Sequence, residues 1–236
     1  MRGILAIETA TDACSVALCR GGEVLERHEV TPRQHSQRLF SMLAELLPDG
    51  RLAEHGIEAI AYGSGPGSFT GLRVAASAVQ GLAYAACLPA VPVSTLACQV
   101  ATALREGLVT DGQRVASLID ARINEVYCAL FQVESGQLVQ CGPAQACPPS
   151  ALVLPDAMPP VVAVGSGAAY LDKAPAAFRA KLEHIDTTLL PRARDLLPLA
   201  ERALAAGQVQ DAMQVRPVYV RDEINWKKIP QQGKQR

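Results

Sequence analysis

The chain has no excess of charge of either sign: 22 Lys and Arg stand against 23 Asp and Glu, a net charge of −1. Gripping nucleic acid unaided takes clustered Lys and Arg to neutralise phosphates, so the balance argues against RNA or DNA binding by this chain alone. If RNA is the substrate, a partner holds most of it. No apolar run approaches membrane-spanning length, and the first, Ile4–Ile7, is stopped by Glu8, too short for a signal-peptide core. The expectation is a soluble, cytoplasmic protein without a membrane partner. The seven cysteines are odd in number and contain no C-x-x-C pair, which fits neither a disulfide framework nor a zinc ribbon. Of the four histidines (28, 35, 55, 184) no two are three or four residues apart, so no helix face offers paired imidazoles to one ion.

What is there is a hydrophobic content of 49% over 236 residues, enough to bury one large core or two small ones. The chain is organised around Ser64–Arg73, Ser-Gly-Pro-Gly-Ser-Phe-Thr-Gly-Leu-Arg, between the apolar run Ile57–Tyr62 and an alanine-rich segment. This is a strand-to-helix turn. Gly65, Gly67 and Gly71 allow backbone angles that a side chain forbids, Pro66 fixes φ, and Ser68 or Thr70 can cap the following helix. Free amides at a helix start attract anions, so a phosphate site is the functional reading and a structural turn the other. The turn lacks the Lys-Ser/Thr pair of a P-loop and the G-x-G-x-x-G spacing of a dinucleotide site. It is not a G-x-S-x-G nucleophile elbow either, since Thr70 stands at the second glycine position, and nothing nominates a histidine base for Ser68.

Around it, Ile4–Ile7, Cys14–Cys19 and Val24–Val30 read as three meandering strands. Thr31-Pro32-Arg33-Gln34 reads as a capping box opening an amphipathic helix over 32–47, with His35, Leu39, Met42, Leu43 and Leu46 at helical spacing. The second helix, about 70–86, is mostly small and apolar, with Arg73, Ser77, Gln80 and Tyr84 forming one polar stripe; a third starts at Ser94 and stops at Gly107. From Arg114 the pattern repeats: Val115–Ile119, Asp120, Val126–Phe131 and Gly136–Gln140 echo the opening meander, as an old duplication would. Pro143–Pro160 leads to a strand, Val161–Val164, then a helix after Gly165-Ser166-Gly167 and a last helix over about 195–206 capped by Asp195. The expected architecture is α/β in two related lobes, residues 1–110 and 111–236, each a mixed sheet flanked by helices.

Residues 65–73, together with Ile4–Ser15 and Arg216–Arg221 (Arg-Pro-Val-Tyr-Val-Arg), resemble the bacterial TsaB (YeaZ) family over essentially the whole chain. The resemblance implies the actin/Hsp70/sugar-kinase-like (ASKHA) fold. It also implies a non-catalytic scaffold in the complex that transfers threonylcarbamoyl to N6 of adenosine 37 of tRNAs reading codons beginning with A. Such a subunit pairs with and activates the catalytic paralogue TsaD, serves the ATPase TsaE and meets tRNA through the complex. ATP or ADP and the partner's metal belong to that complex, with no cofactor held tightly by this chain. The resemblance implies that the first two helices pack against their counterparts in TsaD, which nominates His35, Leu39, Met42, Leu43, Leu46, Phe69, Leu72, Arg73, Ser77, Ala78, Gln80 and Tyr84 as partner-binding; a homodimer through the same helices is the alternative when the chain is alone.

The turns Glu8-Thr9-Ala10-Thr11 and Asp120-Ala121-Arg122-Ile123 stand where ASKHA phosphotransferases bring glycine-rich turns to nucleotide phosphates. Both carry the acid and neither carries a glycine. Glu8, Thr9, Thr11, Asp120 and Arg122 are therefore either caps of hairpin turns or the rim of a nucleotide cleft. TsaD carries a metal-binding His-x-x-x-His pair; the equivalent spacing here holds Thr95 and Gln99, so no metal site is expected. An actin-like phosphotransferase or, further off, a peptidase is the alternative function. Trp226 among Arg221, Lys227, Lys228, Lys234 and Arg236 is a candidate RNA contact or a solvated tail.

Overall fold

The computed structural model describes residues 2–155 and 159–220; the basic tail from Arg221 lies outside the described residues. Strands β1 (Ile4–Glu8), β2 (Ala13–Arg20) and β3 (Glu23–Val30) form the expected antiparallel meander. Helix α1 (His35–Leu46) follows, then β4 (Ala59–Gly65) parallel to β1, helix α2 (Phe69–Ala86), and β5 (Ala90–Ser94) parallel to β4. Helix α3 (Thr95–Arg105) leads to the second sheet. There β6 (Arg114–Arg122), β7 (Glu125–Glu134) and β8 (Gln137–Gln140) meander, β9 (Gln145–Cys147) pairs with β7, and β10 (Val161–Val164) runs parallel to β6. The short helix α4 (Ala176–Arg179) precedes β11 (Leu182–Asp186), and α5 (Ala193–Ala205) ends the run of helices. The strand orders β3-β2-β1-β4-β5 and β8-β7-β6-β10-β11 are the same plan executed twice.

Both faces of the first sheet are covered, which is why β1 and β2 are apolar without alternation. Leu5, Ile7, Val16 and Leu18 pack under α1 and α2, whereas Ile4, Ala6, Ala17 and Cys19 pack under α5 and Cys98 of α3. The opposite side of α3 (Leu96, Val100, Ala103) meets Val115 and Ile119 of β6, so α3 is the internal joint between the two sheets. The chain after β11 returns through α5 to the first sheet.

Local readings needed correction in three places. Thr31–Gln34 is a turn and not a capping box: Gln34 N–H donates to the Thr31 carbonyl at 3.1 Å, Arg33 sits at φ +67°, and α1 opens at His35 without a side-chain cap. Asp195 lies inside the first turn of α5, after Arg192 at the cap; it is turned inward, where it accepts from Thr102 Oγ1 at 2.8 Å and Arg105 Nε at 2.7 Å. The segment after Gly165 is a 3-10 turn over Ser166–Lys173. Strands β5 and β11 escaped notice because they are edges: β5 carries Pro92, whose missing N–H an edge tolerates, and β11 is half polar.

Candidate functional site

The glycine loop is stitched to the β1–β2 turn. Ser68 N–H donates to the Ala10 carbonyl at 2.7 Å, and Thr9 Oγ1 donates to the Gly71 carbonyl at 2.7 Å. A side chain at Gly71 would stand 1.9 Å from the Thr9 carbonyl oxygen, and one at Gly67 would stand 2.4 Å from that of Ala10. Those two glycines serve close approach; only Gly65, at φ +121°, needs the left-handed region. Ser68, not Thr70, caps α2, accepting from Gly71 N–H at 3.3 Å. On the other side Val218 N–H donates to the Ser64 carbonyl at 2.7 Å, and Tyr62 Oη donates to Gln210 Oε1 at 2.8 Å. The segment 215–219 thus straps the loop down.

Between the two sheets, against this joint, lies a cavity of about 600 Å³. Ala10, Thr11, Asp12 and Gly67–Thr70 line one wall together with Tyr219, whose ring centre lies 5.9 Å from that of Phe69, and Ile119–Arg122, Tyr127, Ser166 and Leu190 face them. Thr11, Asp120 and Arg122 are therefore on the cleft, while Glu8 and Thr9 are fully buried behind it. Several of the cleft's polar groups are committed within the chain. Asp120 accepts from the Arg122 N–H at 2.8 Å and its guanidinium at 3.1 Å, with Tyr170 Oη at 3.4 Å. The amides of Ala10, Ser68 and Gly71 are bonded within the chain. Nothing in those commitments forms a phosphate cradle, and no histidine lines the wall beside Ser68. Tyr127 and Tyr219 were missed as lining residues; the only sequence signal for Tyr219 was its place in Arg-Pro-Val-Tyr-Val-Arg.

The helices separate the nominated partner residues into two groups. Leu39 and Met42 are fully buried, and His35, Leu43, Leu46, Leu72 and Ala78 are nearly so, all within this chain's own interior. In the chain alone these seven offer little free surface. Arg73, Ser77, Phe69 and Tyr84 face outward, with Gln80 half-buried between them, and the exposed Phe40 of α1 lies on the outer side as well. Arg73 lies 3.8 Å from the Phe69 ring centre and donates to Tyr219 Oη at 3.3 Å, so a small aromatic–cation cluster sits where α2 begins.

Behind the joint, Glu8 Oε1 accepts from Ala10 N–H at 2.7 Å, and burial lifts the carboxyl pKa from 4.5 to about 7 against the pull of that bond and of neighbouring Thr95. Gly63 makes room for it: a side chain there would lie 2.0 Å from Glu8 Oε2. Among the described residues no three His, Cys, Asp or Glu side chains gather as a metal site, and no helix is long and apolar enough to cross a membrane.

Residues 26–228 match the family described as "TsaD: tRNA N6-adenosine threonylcarbamoyltransferase". The chain is 38% identical to the tRNA threonylcarbamoyladenosine biosynthesis protein TsaB of Escherichia coli (strain K12), over 96% of this chain and 98% of that one. It is 35% identical to the TsaB protein of Haemophilus influenzae, over 96% and 97%. The solved structure of YeaZ from Pseudomonas aeruginosa superposes with a TM-score of 0.84 at 41% identity, covering 93% of this chain and all of that one. With this agreement in sequence and in a twice-repeated mixed-sheet lobe, the chain belongs to the TsaB (YeaZ) family and has the ASKHA-like fold of the wider TsaD-type group.

Proposed function

We propose that this chain takes part in making threonylcarbamoyl-adenosine in tRNA as a non-catalytic subunit that pairs with and activates TsaD. The supporting observation is the outer face of α2. Arg73, Ser77 and Tyr84 point away from a helix whose inner face is filled, leaving a mixed polar and aromatic surface on a well-fixed element. The relatives' printed role in tRNA threonylcarbamoyladenosine biosynthesis supports the same pathway for this chain. TsaE and tRNA join through the assembled complex, and ATP or ADP, like the metal, is handled at that level and not by this chain alone. The phosphotransferase and peptidase readings gain nothing from the committed cleft groups, although one solved relative is described as similar to a peptidase.

The test is product formation on unmodified tRNA in a mixture of the other components, with this chain present or omitted. Product only when it is present, and none from the chain alone, is the expected result. No effect of omission overturns the proposal. Ser77→Arg, on the outer face, is expected to abolish co-elution with TsaD while leaving the fold intact; Ala78→Arg is unsuitable, since Ala78 is in the core.

A further inference from the structure

The interior holds a polar cluster without partners, centred on α3 where the two sheets meet. Glu8 Oε2, Thr95 Oγ1, Ser117 Oγ and both amide atoms of Gln99 make no hydrogen bond of good geometry to the protein, although the Thr95 side chain approaches the Glu8 carboxyl, and all four residues are fully buried. They are neighbours by construction. Glu8 ends β1 on the same face as Ile4 and Ala6, the face that α3 and α5 cover. Thr95 opens α3 beside the Glu8 carboxyl, close enough to act on its protonation. Gln99 is one helical turn further along the same side. Its amide crosses to the second sheet, where a side chain at Gly165 would meet Gln99 Nε2 at 1.6 Å. Gly165 follows Val164, the register partner of Ser117 on β6, and Ser117 shares the α3-facing side with Val115 and Ile119.

Five unpaired polar atoms in one interior are an unstable arrangement unless something satisfies them, because each buried polar group without a partner is destabilising. The set contains a donor-only atom, Gln99 Nε2, two hydroxyls of either sense, and acceptors. A bare cation suits the oxygens and not the amide nitrogen; water suits all of them, since each molecule donates two bonds and accepts two. We propose that this cluster is a built internal hydration site, in which ordered water links Glu8 at the end of the first sheet, through Thr95 and Gln99, to Ser117 of the second. The glycines at 63 and 165 make room for the head groups themselves, since a Cβ there would stand 2.0 Å from Glu8 Oε2 or 1.6 Å from Gln99 Nε2. The water then bridges the two lobes at their joint, independently of the outer face of α2 and of any partner.

The test is a crystal structure of the whole chain at a resolution that orders solvent, with water relaxation dispersion in solution as a second measurement. Density peaks within about 2.7–3.2 Å of at least two of the five atoms, together with a long-lived water signal that Gln99→Met diminishes, are expected. Direct bonds among the five atoms, or an empty interior, would overturn the proposal. So would a single peak with coordination distances near 2.4 Å and a thermal shift specific to sodium, potassium or calcium, which marks an ion. Because the wild-type crystal structure needs no substitution, a variant that fails to fold leaves the result readable.

Discussion

Glu8→Gln is the substitution that most directly tests the electrostatics of the joint. In the folded chain the Glu8 carboxyl is fully buried and its pKa is raised to about 7, whereas the unfolded chain restores it to 4.5. Between those values the folded protein retains a proton that the unfolded chain releases. Stability from this group is therefore fully present below pH 4.5 and is lost as pH rises through about 7. A gap of that size corresponds to about 3 kcal/mol in all, of which about 2.5 kcal/mol falls between pH 5 and pH 8, at 1.36 kcal/mol for each tenfold step. Gln keeps the acceptor for the Ala10 amide and removes the titration. Urea denaturation of both proteins at pH 5, 6, 7 and 8 reads the difference. Titration of His28, which burial and then Arg192 hold below its ordinary pKa, acts at the acid end in both proteins and cancels. The variant is expected to gain about 2.5 kcal/mol on the parent between the extremes. Parallel pH profiles would refute the reasoning, because they would mean that Glu8 is ionised in place.

Other outcomes follow from single contacts. Gly71→Ala forces a methyl to 1.9 Å from the Thr9 carbonyl oxygen, so the loop and the β1–β2 turn must part; a loss of about 3 kcal/mol in urea is expected. Asp195→Ala removes the buried carboxylate from Arg105 and Thr102, but Arg105 keeps Glu106 at 3.1 Å and Thr102 Oγ1 keeps the Cys98 carbonyl at 3.1 Å, so the loss in the same assay is about 2 kcal/mol. Leu39→Ala, inside the core, is expected to lose about 3 kcal/mol, while Tyr84→Ala, at a side chain that is 73% exposed, stays within about 0.5 kcal/mol of the parent and weakens only the proposed association with TsaD.

The two-lobe plan was legible because its carriers are local. Apolar runs, Gly21-Gly22 and the matching turn at Gly136 announce each meander, and Ser94 and Gly107 bracket α3 as their chemistry requires. Elements defined by neighbours were harder to read. The outer strands β5 and β11 look polar or proline-broken by themselves and become strands because an exposed edge of β4 or β10 accepts them. Asp195 reads as a cap from its type and position, yet an Arg and a Thr from α3 offer it stronger bonds in the interior. The proposed contact face is subject to the same limit. Helical spacing puts Leu39 and Tyr84 on amphipathic helices but does not say which side meets this chain's sheet and which meets another protein.

The glycine loop bears on that last distinction. A run of Gly, Pro and Ser before a helix invites a phosphate reading, but Gly67 and Gly71 are where they are because the Thr9–Ala10 backbone lies against them. Three hydrogen bonds then fix the loop: Ser68 to Ala10, Thr9 to Gly71, and Val218 to Ser64. They hold the first turn of α2 from both sides, and the Ser68 cap fixes its axis. A helix anchored in this way has little backbone freedom left to lose on docking, and lost freedom is a principal cost of association. In the proposed pairing with TsaD the glycines of the loop contribute through this anchoring: loosening it by Gly71→Ala should weaken that association even though the outer stripe Arg73–Tyr84 keeps every side chain.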